Sequence, residues 1–275
     1  MNQSLPSNRD FIVGLGRGFA GALMFSLPML MTMEMWWLGF SADPLRLALL
    51  MALLVPLLWR LSRYGGIRRT GSGWDNLADA LVAIAIAAIA SILVLTIFGV
   101  LTAGMSIREI VGKLLLQTFC GSLGAILAQN QFGQKDAEDE AQEAQASYLD
   151  EMFLMVVGAL FLSFNMAPTE EIILIAYLMS IWQQLGLMLL TLVLMHAFVY
   201  GLEFSGTERP REGEGFWNVF FCFTVAGYAL ILLVSLYVLW TFGRLDGENV
   251  AQIVGTTIVL GFPSALGAAV ARLVL

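Results

Sequence analysis

The residues most able to do chemistry in this chain are two glutamates, Glu34 and Glu171, each near the end of a strongly apolar segment. A carboxylate in such a segment is costly in free energy, and it commonly binds an ion, carries a proton or pairs with another charge. Side chains with oxygen atoms stand close to them in sequence: Ser26, Thr32, Ser163, Asn165 and Thr169. Oxygen ligands suit hard cations such as Ca²⁺, Mg²⁺, Na⁺ or H⁺. Together these residues form the predicted cation-binding or translocation site, and the identity of any metal stays open.

A proline precedes each glutamate, Pro28 in the first segment and Pro168 in the second. Proline removes a backbone donor and frees a carbonyl one turn earlier, and membrane helices keep such breaks where hydroxyls, water or an ion satisfy the freed groups. On an unbroken helix Glu34 would fall outside the face that carries Ser26 and Thr32. We therefore expect a helix break at each proline that redirects the carboxylate.

Glu34 also has a simpler interpretation, because Trp36 and Trp37 follow it. Tryptophans gather at the headgroup level of a bilayer, where a carboxylate reaches water at modest cost. Glu34 would then be an interfacial anchor. The recurrence of a glutamate in the second segment favours the functional interpretation.

The two segments are copies of one pattern, separated by an offset of 137 residues. Gly21-Ala22-Leu23, Ser26, Met29, Thr32 and Glu34 recur as Gly158-Ala159-Leu160, Ser163, Met166, Thr169 and Glu171. Later blocks recur in the same order: Tyr64-Gly65 as Tyr200-Gly201, Ile110-Val111-Gly112 as Ile253-Val254-Gly255, and Leu123-Gly124-Ala125 as Leu266-Gly267-Ala268. Collinear blocks indicate duplication of a four-helix unit. Their small residues predict close packing between neighbouring helices.

Composition places the chain in a membrane. Hydrophobic residues make up 59% of it, charged residues only 13%, and its mean hydropathy is +0.80, which is too apolar for a soluble domain of this size. Apolar runs near the length of a membrane span lie at about 11–40, 45–62, 76–102, 108–129, 151–177, 180–203, 217–242 and 249–275. We predict an all-α membrane protein with about eight transmembrane helices. Six or seven spans are alternatives, because the count is open around residues 41–65 and 165–185.

A repeat with an even number of spans returns the chain to its starting side, so two such repeats are parallel and their pseudo-two-fold axis runs along the membrane normal. The predicted organisation is a first four-helix repeat at 1–130, an acidic connector at 131–150 and a second repeat at 151–275. Glu34 and Glu171 would then lie at the same depth, facing a shared centre or two separate ones.

Basic residues in short loops predict the orientation, because they concentrate on the cytoplasmic side. The cytoplasmic set is Arg9, Arg60, Arg63, Arg68, Arg69, Lys135, Arg209 and Arg211, against Arg46, Arg108 and Arg244 outside. Both termini and the acidic connector are then cytoplasmic. The connector is interpreted as a solvated linker, with cation sensing or partner binding as alternatives.

Two weaker candidates lie near the predicted cytoplasmic ends of their spans, Asp79 and His196. Asp79 could form the cytoplasmic exit for an ion. His196, the only histidine, could respond to pH, although an interfacial polar residue is the simpler interpretation. A lone histidine makes no metal site.

Several function classes are excluded or disfavoured. The chain has no His-rich metal motif, no nucleophile elbow, no phosphate loop and no paired cysteine motif, so we expect no enzyme and no cofactor. A formal net charge of −7 without a basic aromatic cluster argues against nucleic acid as a partner. The expected partners are the lipid bilayer and a small cation. A homo-oligomer is an alternative, since a pore can also form between protomers.

The segment Thr32-Met33-Glu34-Met35-Trp36-Trp37, preceded by Ser26-Leu27-Pro28, resembles a family of bacterial proteins described only as integral membrane proteins of unknown function. The resemblance extends over most of the chain. It implies placement in a bacterial inner membrane and brings no activity or binding residues with it.

Two functional hypotheses follow from the residues. The first is a cation channel or cation-coupled secondary transporter, in which the two proline-broken helices meet near the pseudo-two-fold axis and the glutamates attract cations at the outer mouth. The second is a membrane scaffold or sensor that does not transport, whose acidic connector binds a partner. The sequence does not choose between a channel and a carrier.

Overall fold

The computed structural model describes residues 8–65, 73–132, 148–198, 217 and 220–274. These residues form ten α-helices and one short π-helix, and none of them lies in a β-strand. The chain divides into two compact units, Met1–Gln142 and Glu143–Leu275. The all-helical membrane fold class is therefore confirmed. The predicted acidic connector at 131–150 lies mostly outside the described residues.

Unit 1 contains five α-helices: α1 Asn8–Leu30, α2 Met33–Ser41, α3 Pro44–Gly65, α4 Gly73–Ile97 and α5 Ile107–Phe132. The last of them, α5, packs against the other four and most extensively against α1. Gly21 of α1 meets Gly124 of α5, where a Cβ added to Gly21 would lie 2.4 Å from the Gly124 carbonyl oxygen. The backbones of the two helices are thus in direct contact, which confirms the close packing predicted from the small residues.

Unit 2 contains α6 Tyr148–Met166, α7 Glu171–Leu178, α8 Ile181–His196, the π-helix Phe220–Val225, α9 Ala226–Thr241 and α10 Val250–Val274. Here α10 packs against the other four α-helices and most extensively against α6. Gly158 of α6 meets Gly267 of α10, where a Cβ added to Gly158 would lie 2.2 Å from the Gly267 carbonyl oxygen. The first and last glycine blocks of the sequence therefore contact each other inside each unit.

Seven of the described helices are long and apolar enough to cross a membrane, and α7 with α8 makes an eighth candidate if that bent pair is one span. The angle between α7 and α8 is 119°. The predicted first span at 11–40 is interrupted in the structure, because α1 ends at Leu30 and α2 begins at Met33. The predicted fifth span at 151–177 is likewise divided into α6 and α7. Short helices after a break, rather than continuous spans, thus carry the two glutamates.

Candidate functional site

The first helix break lies between α1 and α2, three residues after Pro28. The Thr32 backbone N–H donates to the Met29 carbonyl at 3.2 Å, and the Thr32 hydroxyl donates to the Pro28 carbonyl. The Trp36 indole donates to the Leu30 carbonyl at 2.8 Å. Neutral protein donors therefore satisfy the carbonyls at the end of α1, and Pro28 itself fits within its last turn. The Thr32 hydroxyl oxygen can still act as an acceptor, because only its hydrogen is engaged in the bond to Pro28.

Gln117 of α5 reaches the same break from the core. Its side-chain nitrogen Nε2 donates to the Met29 carbonyl at 3.1 Å, and the residue is 1% exposed. This bond fixes the orientation of the amide, since a carbonyl needs a donor. The other atom of the amide, the oxygen Oε1, is buried without a hydrogen-bond partner among the described residues. A buried amide oxygen without a donor is costly and is a ready ligand for a cation or a water.

Glu34 is the second residue of α2 and is partly buried. Its carboxylate makes no hydrogen bond or ion pair with any described residue. The positive end of the short helix stabilises its negative charge. A carboxylate on α2 and the buried oxygen of Gln117 on α5 thus both belong to the surroundings of the first break, with no hydrogen bond between them. Ser26 does not join them by a hydrogen bond: it is 1% exposed and donates to the Ala22 carbonyl at 2.6 Å, one turn back in α1.

The second helix break lies between α6 and α7 and shares one backbone hydrogen bond with the first. The Thr169 N–H donates to the Met166 carbonyl at 3.2 Å, and its hydroxyl donates to the same carbonyl at 2.9 Å. Pro168 lies in the turn itself, and its carbonyl accepts from the Arg244 guanidinium. A charged donor therefore takes part in this break.

Arg244 also brings its charge to the carboxylates that begin α7. Its side chain is 12% exposed and lies 3.9 Å from the Glu170 carboxylate. Glu171 is exposed. Its carboxylate interacts with its own backbone N–H, the Thr169 hydroxyl and the positive charge of Arg244. The second break thus holds a cation of its own, close to both carboxylates.

The remaining oxygens predicted for the second half are bonded within or between helices. The Asn165 amide nitrogen donates to the Phe161 carbonyl at 2.7 Å, and its oxygen Oδ1 is buried without a partner among the described residues. Ser163 is fully buried and hydrogen-bonds Ser264 of α10 at 2.6 Å, while Ser235 of α9 donates to Ser264 at 3.2 Å. Ser264 thus joins three helices, and Asn165 leaves an open oxygen beside the break.

The two weaker candidates lie elsewhere in their units. Asp79 is 1% exposed within α4. His196, at the end of α8, shares a 2.8 Å hydrogen bond between its Nδ1 and the Thr224 hydroxyl. Thr224 belongs to the π-helix, and His196 also meets Phe220 of that helix edge to face at 5.4 Å. A π-helix is rare and often stands at a functional site.

Two buried ion pairs escaped the sequence-based selection. Lys113 of α5 pairs with Glu109 at 2.7 Å, and Arg272 of α10 pairs with Glu151 of α6 at 2.8 Å. The spacing of four residues between Glu109 and Lys113 on one helix was a usable signal. Glu151 and Arg272 are 121 residues apart, so only the fold brings them together.

Among the described residues no group of three or more His, Cys, Asp and Glu side chains could hold a metal ion. A cation at either break would therefore rest on one or two carboxylates completed by amide and hydroxyl oxygens. Such a weakly charged site suits an ion that binds and leaves.

Comparison with known proteins supports the membrane assignment. No curated protein and no solved structure matches the chain. Seven helices long and apolar enough to span a bilayer agree with a multi-pass protein. Over residues 14–275 the chain matches the family described as "putative integral membrane protein (DUF2391)", and it belongs to that family.

Proposed function

We propose that the protein is a cation transporter, a cation-coupled carrier or a channel, in which the two helix breaks contribute the ion path. One observation carries the proposal: at the first break the buried Gln117 oxygen has no donor among the described residues, and Glu34, the second residue of α2, makes no ion pair with a described residue. Oxygens left open at an interrupted membrane helix are what a transported cation requires.

The interrupted helices favour a carrier over a channel. In secondary transporters, substrate and coupling-ion sites commonly lie at discontinuous helices, where backbone and side-chain groups are free of the regular helix bonds. In both units a long helix is followed by a short one of nine or eight residues, α2 or α7, that begins with or next to a glutamate. A saturable transport rate would support a carrier, and single-channel currents would support a channel.

We further propose that the two units are a tandem duplication with parallel pseudo-two-fold symmetry. Each unit runs through a long helix, a short helix and three further membrane-length or near-length segments, and in each the last helix packs against all the others. The hydrogen bond common to both breaks adds to this, a 3.2 Å bond from the threonine N–H to the methionine carbonyl. Under this proposal Thr32 and Thr169, and Glu34 and Glu171, hold equivalent positions.

The test is cation flux in proteoliposomes. We would reconstitute the full chain and follow Na⁺, K⁺, Ca²⁺ and H⁺ separately with entrapped reporters, comparing the native chain with the Glu34→Gln, Glu171→Gln double variant. We expect flux of one cation in the native chain and a loss of roughly tenfold or more in the double variant, equivalent to about 1.4 kcal/mol or more.

Asp43 provides a matched control. It is an exposed carboxylate nine residues after Glu34, and its Oδ1 accepts the backbone N–H of Leu45 at 2.8 Å at the start of α3. Asparagine caps a helix as well as aspartate does, so Asp43→Asn should retain flux. Absence of flux for all four cations would contradict transport, and flux unchanged in the double variant would remove the glutamates from the path.

The second candidate function is a scaffold or sensor that does not transport. The observation that favours it is the complete set of neutral donors on the last carbonyls of α1, which makes the first break a stable structural joint. In that case the breaks serve packing, and the acidic connector binds a partner. Flux measurements separate the two functions, because a scaffold passes no ion.

The proposal includes a location and excludes an activity. We propose that the chain lies in a bacterial inner membrane, as the resemblance of its Thr32–Trp37 segment implies, and that both termini are cytoplasmic, on the distribution of basic residues. Its partners would be lipid and a small cation, without nucleic acid or an enzymatic substrate, and a homo-oligomer would add a second route for the ion. Cysteine labelling from either side of the membrane tests the orientation.

A further inference from the structure

We infer that Arg244 is a built-in cation at the second break, so that the two breaks differ in function: the first binds a free cation, and at the second the protein itself supplies a cation beside the carboxylates. The inference rests on the proposed function and deepens it, because it assigns the exchangeable ion to one unit. It also makes Arg244 a specificity-determining residue.

The turn that carries Arg244 has a close counterpart in unit 1. Gly99 and Gly243 have positive φ angles of 71° and 70°, a conformation that glycine adopts without strain. Their N–H groups each donate to a carbonyl three residues back at 3.0 Å. The next residue in each turn, Val100 or Arg244, donates its N–H to a carbonyl five residues back at 2.9 Å. Val100 and Arg244 therefore hold the same place in the same turn.

Of the two turns, only the one in unit 2 carries a charged side chain at this position. The Arg244 guanidinium donates to the Pro168 carbonyl and lies near Glu170 and Glu171, with 12% of its side chain exposed. A guanidinium this buried needs opposite charge and acceptors to offset its lost hydration. The Glu170 side chain is 83% exposed and Glu171 is exposed, while the Arg244 side chain is 12% exposed, so the guanidinium takes the inner position beside the helix-end carbonyl, where a metal cation could otherwise bind.

Unit 1 has a valine at this position, and the buried Lys113 in that unit pairs with a carboxylate other than Glu34. Lys113 pairs with Glu109 at 2.7 Å and reaches only the backbone of the turn, at 3.5 Å from the Val100 carbonyl oxygen. Glu34 has no ion-pair partner among the described residues, and the Gln117 oxygen is open. The first break therefore keeps both a negative charge and a free ligand.

The experiment moves the arginine from one unit to the other. Full-length protein in detergent would be melted over increasing NaCl, KCl, CaCl₂ or MgCl₂ at constant ionic strength, and over a pH series. We expect one of these cations to raise the melting temperature of the native chain in a single saturable phase. Val100→Arg should raise the midpoint concentration of that phase by roughly tenfold or more, as Glu34→Gln should, while the uncharged control Val100→Gln keeps it near the native value.

The reverse change should create a site. Arg244→Gln keeps a donor for the Pro168 carbonyl but removes the charge, leaving Glu170 and Glu171 without the guanidinium. We expect a second saturable phase in this variant, which survives when Glu34→Gln is added. Arg244→Lys retains the charge and should show one phase.

The outcomes separate the inference from the proposed function. Cation binding in Val100→Arg equal to that of Val100→Gln would overturn the inference and leave cation transport standing. A folded Arg244→Gln variant with one phase would also overturn it, and the Val100 series decides the question alone if that variant does not fold. A native chain that no cation or proton stabilises, and that passes no ion in vesicles, would overturn both.

Discussion

The two helix breaks share a backbone hydrogen bond from threonine to methionine and differ in their charged partners. At the first, neutral donors from Thr32, Trp36 and Gln117 satisfy the helix end, and Glu34 keeps its charge unpaired among the described residues. At the second, Arg244 supplies a charged donor close to Glu170 and Glu171. Two related breaks can therefore keep the same backbone hydrogen bond while the charged groups around them differ, as unequal roles for the two units require.

The largest expected effect concerns the close helix contact at glycine that both units share, rather than the charges in which they differ. Gly21→Leu and Gly158→Leu should each prevent folding, at a cost of roughly 4 kcal/mol or more, because the added side chain would overlap the backbone of α5 or α10. The measurement is the yield of monodisperse protein after extraction in detergent. Gly16→Leu is the control, since a Cβ added to Gly16 meets nothing within 4 Å. A normal yield of either core variant would show that the two helices do not touch.

The next largest effect compares the Glu151–Arg272 ion pair with the Glu109–Lys113 ion pair. Glu151→Gln leaves Arg272, whose side chain is 2% exposed, without its carboxylate, and we expect a loss of about 3–5 kcal/mol in unfolding free energy. Glu109→Gln should cost less than half as much, because Glu109 is 26% exposed and water lies closer to its lysine. Unfolding in SDS measures both.

A double variant serves as the control for the larger pair. Glu151→Gln with Arg272→Gln removes both charges, so it should recover much of the stability lost in the single variant. Equal losses for Glu151→Gln and Glu109→Gln would contradict the difference in burial between the two units.

The smallest effect concerns buried hydroxyls. Ser264 links Ser163 and Ser235 in unit 2, so Ser264→Ala should cost about 1 kcal/mol. Ser91 of α4 stands eight residues before Gly99, as Ser235 stands eight before Gly243, but its hydroxyl is buried without a partner among the described residues. Ser91→Ala should therefore leave the unfolding free energy unchanged or raise it slightly. Equal destabilisation by the two substitutions would refute the assignment.

A glycine explains why the hydroxyl cluster is confined to one unit. Gly121 stands two residues before Leu123, where Ser264 stands two before Leu266. A Cβ added to Gly121 would lie 3.0 Å from the Ala87 Cβ, which is too close for unhindered packing. Unit 1 thus gains closer helix contact and loses the central hydroxyl.

Much of the fold follows from the sequence, because its strongest signals are apolar length and small residues. The membrane class, the all-helical fold and the close contact of the glycine blocks were predicted from composition and pattern. The interruption of the first and fifth spans was expected from Pro28 and Pro168. The second break includes its proline, whereas the first begins three residues after Pro28. Threonine hydrogen bonds set the turns, and Pro28 lies one turn before the first break.

Less of the candidate site follows from the sequence, because its decisive contacts join distant residues. Gln117 and Met29 are 88 residues apart, and Arg244 and Pro168 are 76 apart. One signal was present: Phe98-Gly99 and Phe242-Gly243, each with a leucine two residues after the glycine, differ at the residue between, which is Val100 or Arg244. The π-helix at Phe220–Val225 had no comparable signal, because α- and π-turns share the same apolar side chains.

The most direct test of the unequal breaks is flux through the two single variants, Glu34→Gln and Glu171→Gln, in vesicles with equal protein content. We expect Glu34→Gln to lower cation flux by roughly tenfold or more, about 1.4 kcal/mol or more, because it removes the carboxylate that is proposed to bind the cation at the first break. Glu171→Gln should lower it less, since Arg244 already offsets that charge. Equal losses, or a greater loss for Glu171→Gln, would contradict the assignment of the exchangeable cation to the first break.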